Sequence, residues 1–432
     1  MRVRWLRYWR IRFRRRFLRP LRHFNRTVER FAGDILYDRS RSPMAVGVGA
    51  VLHLLSFPFR LLVYLRHLCY LHRILRPQYL GCTVVTVGNL TVGGTGKTPI
   101  VELLARELAR RGRRVAILSR GYRSRSQPPL AGLLRLISHR GEPPPRIVGD
   151  GRSVLLDSAV AGDEPHMLAK NLPGVVVLTD KNRVRAGHFA IKHFGCDVLL
   201  LDDGFQYRRL HGHLNLLLID STRPFGGGKL LPRGILREPP SAMVRATHIL
   251  LTKSDGAMDP AREAALVRHA GPGIPILRCR HAPRTLCCLQ GDGDLPIAFL
   301  FGKKVALFSG IASPDGFEAF VHGTGASVVL RRHFPDHYRF SEEDVQKIFG
   351  RACERGAELV LTTEKDAVRL ESRWIYPLPT YYLRIEMEIL HGREHFEALL
   401  QRICAGEANG TVAGAAAASC DGVFSCPGSN SA

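Results

Sequence analysis

Several absences bound what this 432-residue chain can be. Its ten cysteines form no C-x-x-C pair and no set spaced with histidines. A zinc ribbon and a dithiol redox centre are therefore excluded, and reduced thiols are the default reading. The adjacent Cys287-Cys288 reads as strand filler. A clean run of about 20 apolar residues, the length a spanning helix needs, is also missing. The most apolar stretch, Met44–Tyr64, is broken by His53, Pro58 and Arg60 and has no small-x-small cleavage site in a natural place, so no cleavable signal is read there. No internal repeat is present. Acids are scarce: 38 Asp and Glu face 63 Lys and Arg, for a formal net charge of +25. That sign disfavours basic partners and favours phosphates, whether on nucleic acid, lipid head groups or small substrates.

The charge is uneven. Residues 1–42 hold fourteen Arg against three acids, interleaved with Trp5, Trp9, Phe13, Phe17 and Phe24. Arg with aromatics suits single-stranded nucleic acid as well as anionic lipid. The apolar segment that follows favours lipid, with an interfacial helix fitting better than a spanning one and a buried core helix as the plain alternative. The expected organisation is a basic arm over 1–42, a membrane-associated helical segment over 43–78, a core lobe over 79–270, a smaller α/β lobe over 271–404 and a disordered tail over 405–432.

What is present is organised around Val84–Val101. An apolar β-branched run ends at Gly88-Asn89, a glycine-rich turn follows, and Lys97-Thr98 opens a helix-like segment to Gly112. Strand, glycine loop and helix in that order is the P-loop arrangement. Glycines let backbone N–H groups turn in around phosphate oxygens, and the helix end adds positive potential. Thr91, Val92, Gly93, Gly94, Thr95, Gly96, Lys97 and Thr98 are the expected phosphate cradle, with Lys97 on the β/γ-phosphates and the Thr98 hydroxyl on Mg²⁺. The strict pattern wants Gly at 91, where this chain has Thr91. The signature lysine of dimerising P-loop ATPases is missing too, since Val92 precedes Gly93. That argues against a membrane-recruited positioning ATPase.

From Cys82 strands and helices alternate, which predicts an α/β parallel sheet. Arg114–Leu118 is a strand ending at Ser119-Arg120-Gly121-Tyr122, where an open sheet places ligands, so Arg120 is a candidate phosphate contact or a solvated turn residue. Residues 123–150 read as a flexible loop. Asp163-Glu164 open a helix and could be caps or supply the carboxylate that a phosphoryl-transfer enzyme needs for its acceptor hydroxyl. Asp197–Leu201 is a strand closing on Asp202-Asp203, the Walker B position for a carboxylate beside Mg²⁺. Thr252-Lys253-Ser254-Asp255 echoes the loop by which GTPases read a base, without settling which base. Gly271–Ala282 looks like the boundary to a smaller Rossmann-like lobe. There, His337 beside Asp336 is either a packed loop histidine or the partner of a carboxylate base.

GNLTVGGTGKTP (88–99), SRGY (119–122), GDEP (162–165), LDDGFQ (201–206), LREP (236–239), LTKSD (251–255), SGIASP (309–314), FPDHY (334–338) and TEKDAV (363–368) occur in this order. Over roughly residues 45–400 this series resembles the tetraacyldisaccharide 4′-kinases, the lipid A 4′-kinases of Gram-negative bacteria. The resemblance implies an ATP- and Mg²⁺-dependent kinase at the cytoplasmic face of the bacterial inner membrane. It would act on the 4′-hydroxyl of a tetraacyldisaccharide 1-phosphate to give lipid IVA, with an anionic membrane surface and no nucleic acid among its partners. The implied fold is a P-loop NTPase-like three-layer αβα domain with a second, smaller Rossmann-like lobe and an N-terminal membrane-associated helix. By the same resemblance Asp163 is the base, His337 its partner, and Lys97, Arg120 and Arg237 face the phosphates. Asp202, Asp203 and Glu238 join Thr98 near the metal. The family often has two histidines after Pro-Asp; here His337 is followed by Tyr338.

Overall fold

The computed structural model describes residues 31, 33–37, 39–40, 42–121, 143–254, 259–291, 293–312, 314–371 and 373–406. Most of the basic arm, Tyr122, residues 123–142, Asp255 and the tail from 407 lie outside the described residues. The described residues fall into two compact units, one drawn from 31–76, 90–93 and 223–242 and the other from the remainder.

The larger unit is built on one thirteen-stranded sheet. In chain order its strands are β1 (Thr83–Asn89), β2 (Val115–Ser119), β3 (Arg146–Asp150), β4 (Val176–Thr179), β5 (Val198–Asp202), β6 (Leu214–Asp220) and β7 (His248–Thr252). There follow β8 (Ile276–Cys288), β9 (Leu295–Pro296), β10 (Lys304–Ser309), β11 (Ser327–His333), β12 (Leu359–Thr363) and β13 (Thr380–His391). The sheet order is β11-β10-β12-β13-β8-β7-β6-β1-β5-β2-β4-β3, with β9 against β8. β1 lies between parallel β5 and β6 and is buried on both faces. Val85 and Val87 point into a core with the helices Lys97–Arg110 and Arg393–Cys404. Val84 points to the opposite core, with helix Arg183–Phe194. Helices on both faces of a near-continuous apolar parallel sheet are what βαβ crossovers produce, giving three layers. A further pair of cores flanks β10 and β12.

The segment Gly271–Ala282 enters β8 at Ile276. That strand runs parallel to β7 and antiparallel to the twelve-residue β13, so the sheet passes unbroken through the expected lobe boundary. Arg146–Asp150, expected as part of a loop, is a strand antiparallel to β4 at the sheet edge. Its signal is short, Ile147-Val148 with Gly149 at a register shift, and an edge strand needs only one partner.

The smaller unit contains the helix Pro43–Leu71, which starts on Ser42, whose hydroxyl accepts from Ala45 N at 3.2 Å. Among the described residues it is the one helix long and apolar enough to cross a membrane, at 29 residues or about 44 Å. Its small side chains Ala45, Gly49 and Ser56 are buried, whereas Met44, Leu54 and Leu62 are exposed at 66–69%. Ser56 Oγ lies within hydrogen-bond reach of Leu52 O and Leu230 O, and it accepts from Arg233 N at 3.2 Å. The exposed apolar face is a surface that water does not favour.

Candidate active site

Register brings the motif-bearing loops to one edge. Val87 pairs with Asp202 across β1 and β5, and Leu118 pairs with Leu201, so the glycine loop, Ser119 and the acidic pair all emerge at the carboxyl ends of parallel strands. The helix after the glycine loop begins at Lys97, with Gly96 at φ +79° in the N-cap position and no side-chain cap. Its first N–H groups are left for a ligand. A Cβ at Gly96 would meet His281 Nε2 at 2.9 Å and Met387 Cε at 3.0 Å, so glycine is required there by space as well as by φ. At Gly94 a Cβ would meet no protein atom. Thr91, Val92 and Gly93 belong to the smaller unit. There Val92 N donates to Ile235 O at 2.7 Å, and Thr91 bridges Leu236.

Lys97 Nζ donates to Asn89 Oδ1 at 3.2 Å and pairs with Asp203 Oδ1 at 3.3 Å. Asn89 is held in turn, its carbonyl accepting from Gln206 Nε2 at 2.8 Å. Asp203 sits at φ +52° and His337 at φ +60°, a left-handed conformation that costs energy for side chains other than glycine and collects at functional sites. Asp202 is buried, and the Ser119 hydroxyl reaches its Oδ2 at 3.4 Å. Burial first, then the charges of Glu164 and Asp203, push its carboxyl up to about 7 against the pull of Lys97 and Arg183. Arg183 is itself buried, donating to Asp202 O at 3.2 Å. Arg120 is exposed after Ser119, close enough to Arg183 for their charges to interact.

These residues fit a phosphate and a divalent cation. Thr95 Oγ1, within the glycine loop, is buried with no hydrogen-bond partner. Asp202 is a buried carboxyl crowded by two further carboxylates, an excess of negative charge that a hard cation with oxygen ligands would relieve. Among the described residues no group of three His, Cys, Asp or Glu is arranged to hold a metal by itself. A P-loop Mg²⁺ instead leans on a hydroxyl such as Thr98, one or two carboxylates and the substrate phosphates. Glu238 and Arg237 lie in the smaller unit. Glu238 is buried there, and Arg237 N donates to Leu90 O at 2.7 Å.

Asp163 opens the helix Asp163–Asn171 and meets His337, 174 residues away, with Nδ1 2.7 Å from Oδ2. Arg369, fully buried, donates Nε to the same Oδ2 at 3.0 Å, with Nη2 at 2.9 Å. Its Nη1 donates to Asp366 Oδ1 at 2.9 Å and Gly310 O at 3.1 Å. Asp366 Oδ2 accepts from Gly310 N and the Thr363 hydroxyl. Burial alone would raise the Asp163 pKa. The His337 hydrogen bond, the Arg369 charge and bond and the Arg339 charge outweigh it and hold the carboxyl at about 2. Lys365 Nζ lies 3.2 Å from His337 Nε2. A carboxylate at Nδ1 and an ammonium at Nε2 place the histidine proton on Nδ1.

Asp163 Oδ2 is therefore crowded with donors, and Oδ1 is different. Arg339 Nη2 stands 3.1 Å from it without an aligned hydrogen bond, leaving Oδ1 buried with no hydrogen-bond partner. Lys365 also lies 3.6 Å from Glu164, whose charge reaches Asp202, so this pair and the acidic end of β5 belong to one electrostatic neighbourhood. Tyr338 turns away: its hydroxyl donates to Asp344 Oδ2 at 2.9 Å, and its ring packs on Phe334 and Phe340. Lys253 pairs with Asp220 at 2.6 Å.

Sequence reasoning missed Arg369, Lys365 and Arg339. The i,i+3 spacing of Asp366 and Arg369 is a local pair signal, but the partner that gives Arg369 its role, Asp163, is 206 residues away.

The fold and this site define a P-loop NTPase-like α/β enzyme with an acidic strand end and a carboxylate–histidine pair. The profile of the tetraacyldisaccharide-1-P 4′-kinases (LpxK) matches residues 48–405. A tetraacyldisaccharide 4′-kinase of Anaeromyxobacter dehalogenans is 41% identical over 374 residues, covering 85% of this chain and 94% of its own. Those of Syntrophus aciditrophicus and Geobacter metallireducens are 39% identical (81% and 91% covered) and 42% identical (74% and 88% covered). A crystal structure of LpxK from Aquifex aeolicus in complex with ATP is 29% identical with a TM-score of 0.64, covering 82% of this chain and 99% of that one. The chain belongs to the tetraacyldisaccharide 4′-kinase family.

Proposed function

We propose that this chain transfers the γ-phosphate of ATP to the 4′-hydroxyl of a tetraacyldisaccharide 1-phosphate, forming lipid IVA in lipid A biosynthesis. Family membership supports the activity, and the Asp163–His337 contact at 2.7 Å, near the acidic end of β5, is the observation that carries the assignment of roles.

In this reading the backbone of Gly94–Thr98 and Lys97 hold the phosphates, and Lys97 exchanges its Asp203 pairing for phosphate oxygens. Thr98, Asp202 and Asp203 would hold Mg²⁺, which would neutralise phosphate charge when bound. Arg120, exposed after Ser119 at the same sheet edge, would meet the transferred group. The acceptor hydroxyl donates to Asp163 Oδ1, the oxygen left without a partner. His337 Nδ1–H and Arg369 fix Oδ2 and so aim Oδ1.

A carboxyl held at about 2 is a weak base for a sugar alcohol. Proton transfer to Oδ1 therefore comes late, as the new O–P bond forms and the bond from Pγ to the ADP oxygen breaks. Charge stabilisation then carries most of the rate. The exposed apolar face of Pro43–Leu71, with the basic arm before it, suits an anionic membrane surface at the cytoplasmic side, where ATP and the lipid acceptor meet.

The test is incubation with Mg²⁺ and ATP or GTP and the disaccharide lipid in mixed micelles. A single phosphate added to the non-reducing sugar from ATP is expected. Nucleotide hydrolysis without a phosphorylated lipid, with either donor, would overturn the proposal.

A further inference from the structure

Away from the reacting groups, four polar side chains form a part-buried knot that the proposed chemistry does not use. Arg384, on β13, donates Nη2 to Glu102 Oε1 at 2.7 Å and Nη1 to Asn171 Oδ1 at 3.0 Å. Asn171 Nδ2 donates to Glu364 Oε1 at 2.6 Å and lies 3.3 Å from Glu102 Oε2. Arg106 pairs with Glu102 and, at 3.1 Å, with Glu386. The Glu102 side chain is 8% exposed and that of Arg384 19%.

Each partner belongs to an element that carries part of the site. Glu102 lies on the helix that begins at Lys97. Asn171 ends the nine-residue helix that begins at Asp163. Glu364 begins the turn that carries Lys365 and Asp366 and leads to Arg369. Those three residues hold the Asp163–His337 pair from below. A helix of nine residues is a stiff rod about 13 Å long, so a shift at Asn171 is carried to Asp163.

Stability alone does not explain the knot. Two carboxylates, buried Glu102 and half-buried Glu364, face one another across Asn171, and apolar packing of equal volume would serve stability as well or better. A planar guanidinium contributes direction instead: its two forks meet two elements at fixed angles, which a lysine or a hydrocarbon cannot copy.

We propose that Arg384 is a positioning residue for phosphoryl transfer. It holds the P-loop helix, the Asp163 helix and the 364–369 turn in one register, so that the donor phosphate and Asp163 Oδ1 stay aligned. The proposal rests on the reading of Asp163 and Lys97 given above.

The experiment compares the full-length wild type with Arg384→Met, Arg384→Lys, Asp163→Ala and the double variant Arg384→Met/Asp163→Ala. Lipid phosphorylation, ATP affinity and thermal midpoint are measured for each. Arg384→Met is expected to lower kcat about 30- to 100-fold, the effect of roughly an ångström of misplacement, with ATP affinity within about threefold of wild type. Arg384→Lys should fall between them. Because Arg384 acts through Asp163, the double variant should be no slower than Asp163→Ala alone.

A purely structural role predicts otherwise. Losses in the double variant would multiply, or activity would return when Glu364→Gln, added to Arg384→Met to remove one of the two facing charges, restores the thermal midpoint. Either result overturns the inference, as does near-normal kcat in a folded Arg384→Met. Failure of the underlying reading looks different, because Asp163→Ala would itself turn over normally.

Discussion

Replacing Arg369 by methionine is the sharpest test of how the carboxylate–histidine pair is held. The guanidinium is fully buried, and the substitution keeps an unbranched apolar stem while removing every donor. Asp163 Oδ2 then loses partners at 3.0 and 2.9 Å, and Asp366 Oδ1 loses one at 2.9 Å. Two buried carboxylates are left short of compensation, and breaking a buried pair in this way costs about 3–5 kcal/mol. That is a large part of the ~5–15 kcal/mol available to a typical domain.

The pH dependence should change sign. In the wild type the folded Asp163 pKa, about 2, lies below its unfolded value. The stability it contributes is present above about pH 4 and is lost as pH falls toward 2. That depression from the usual carboxylate range corresponds to about 2–3 kcal/mol. Asp366 runs the other way, since burial raises its pKa and its ionised form costs stability as pH rises. In Arg369→Met both carboxyls take protons more readily, so the deficit should shrink between pH 7 and pH 5 while the wild type changes little. Urea unfolding at pH 7, 6 and 5 with an unchanged m-value measures this. A variant within 1 kcal/mol of wild type at pH 7, or one whose deficit grows on acidification, would refute the account of Arg369 as counter-charge to Asp163.

Lys97→Ala and Asp203→Ala should each lower kcat by at least ~10³-fold in the lipid phosphorylation assay, the order expected for losing a group that stabilises transition-state charge. Near-normal turnover in either removes that residue from the site. Asp163→Ala should lower kcat while leaving ATP affinity unchanged by calorimetry, because it faces the acceptor; weakened ATP binding with normal chemistry would make it a helix cap. Deleting residues 1–75 should release the protein from vesicles containing anionic lipid in a flotation assay, and persistent binding would place the anchor elsewhere.

The sequence by itself determined whatever is written locally. A β-branched run, a glycine turn and Lys97-Thr98 specify strand, loop and helix with their neighbours alone, and the structure has β1 and the helix from Lys97 there. Four leucine-type residues ending in Asp202 likewise specify a buried strand with an acid at its tip. Other features were not legible because they depend on distant partners. Arg146–Asp150 is a strand only because β4 offers it an edge, and β8 and β13 hold each other antiparallel through thirteen and twelve residues of mostly half-buried, mixed polarity.

Tertiary structure alone brought His337 to Asp163 from 174 residues away. It likewise chose Arg369 as the buried counter-charge and left Oδ1 without a hydrogen bond. The physical reason is that propensity and periodicity act over a few residues, whereas desolvation and charge pairing act over a few ångströms, and only the folded sheet converts one distance into the other.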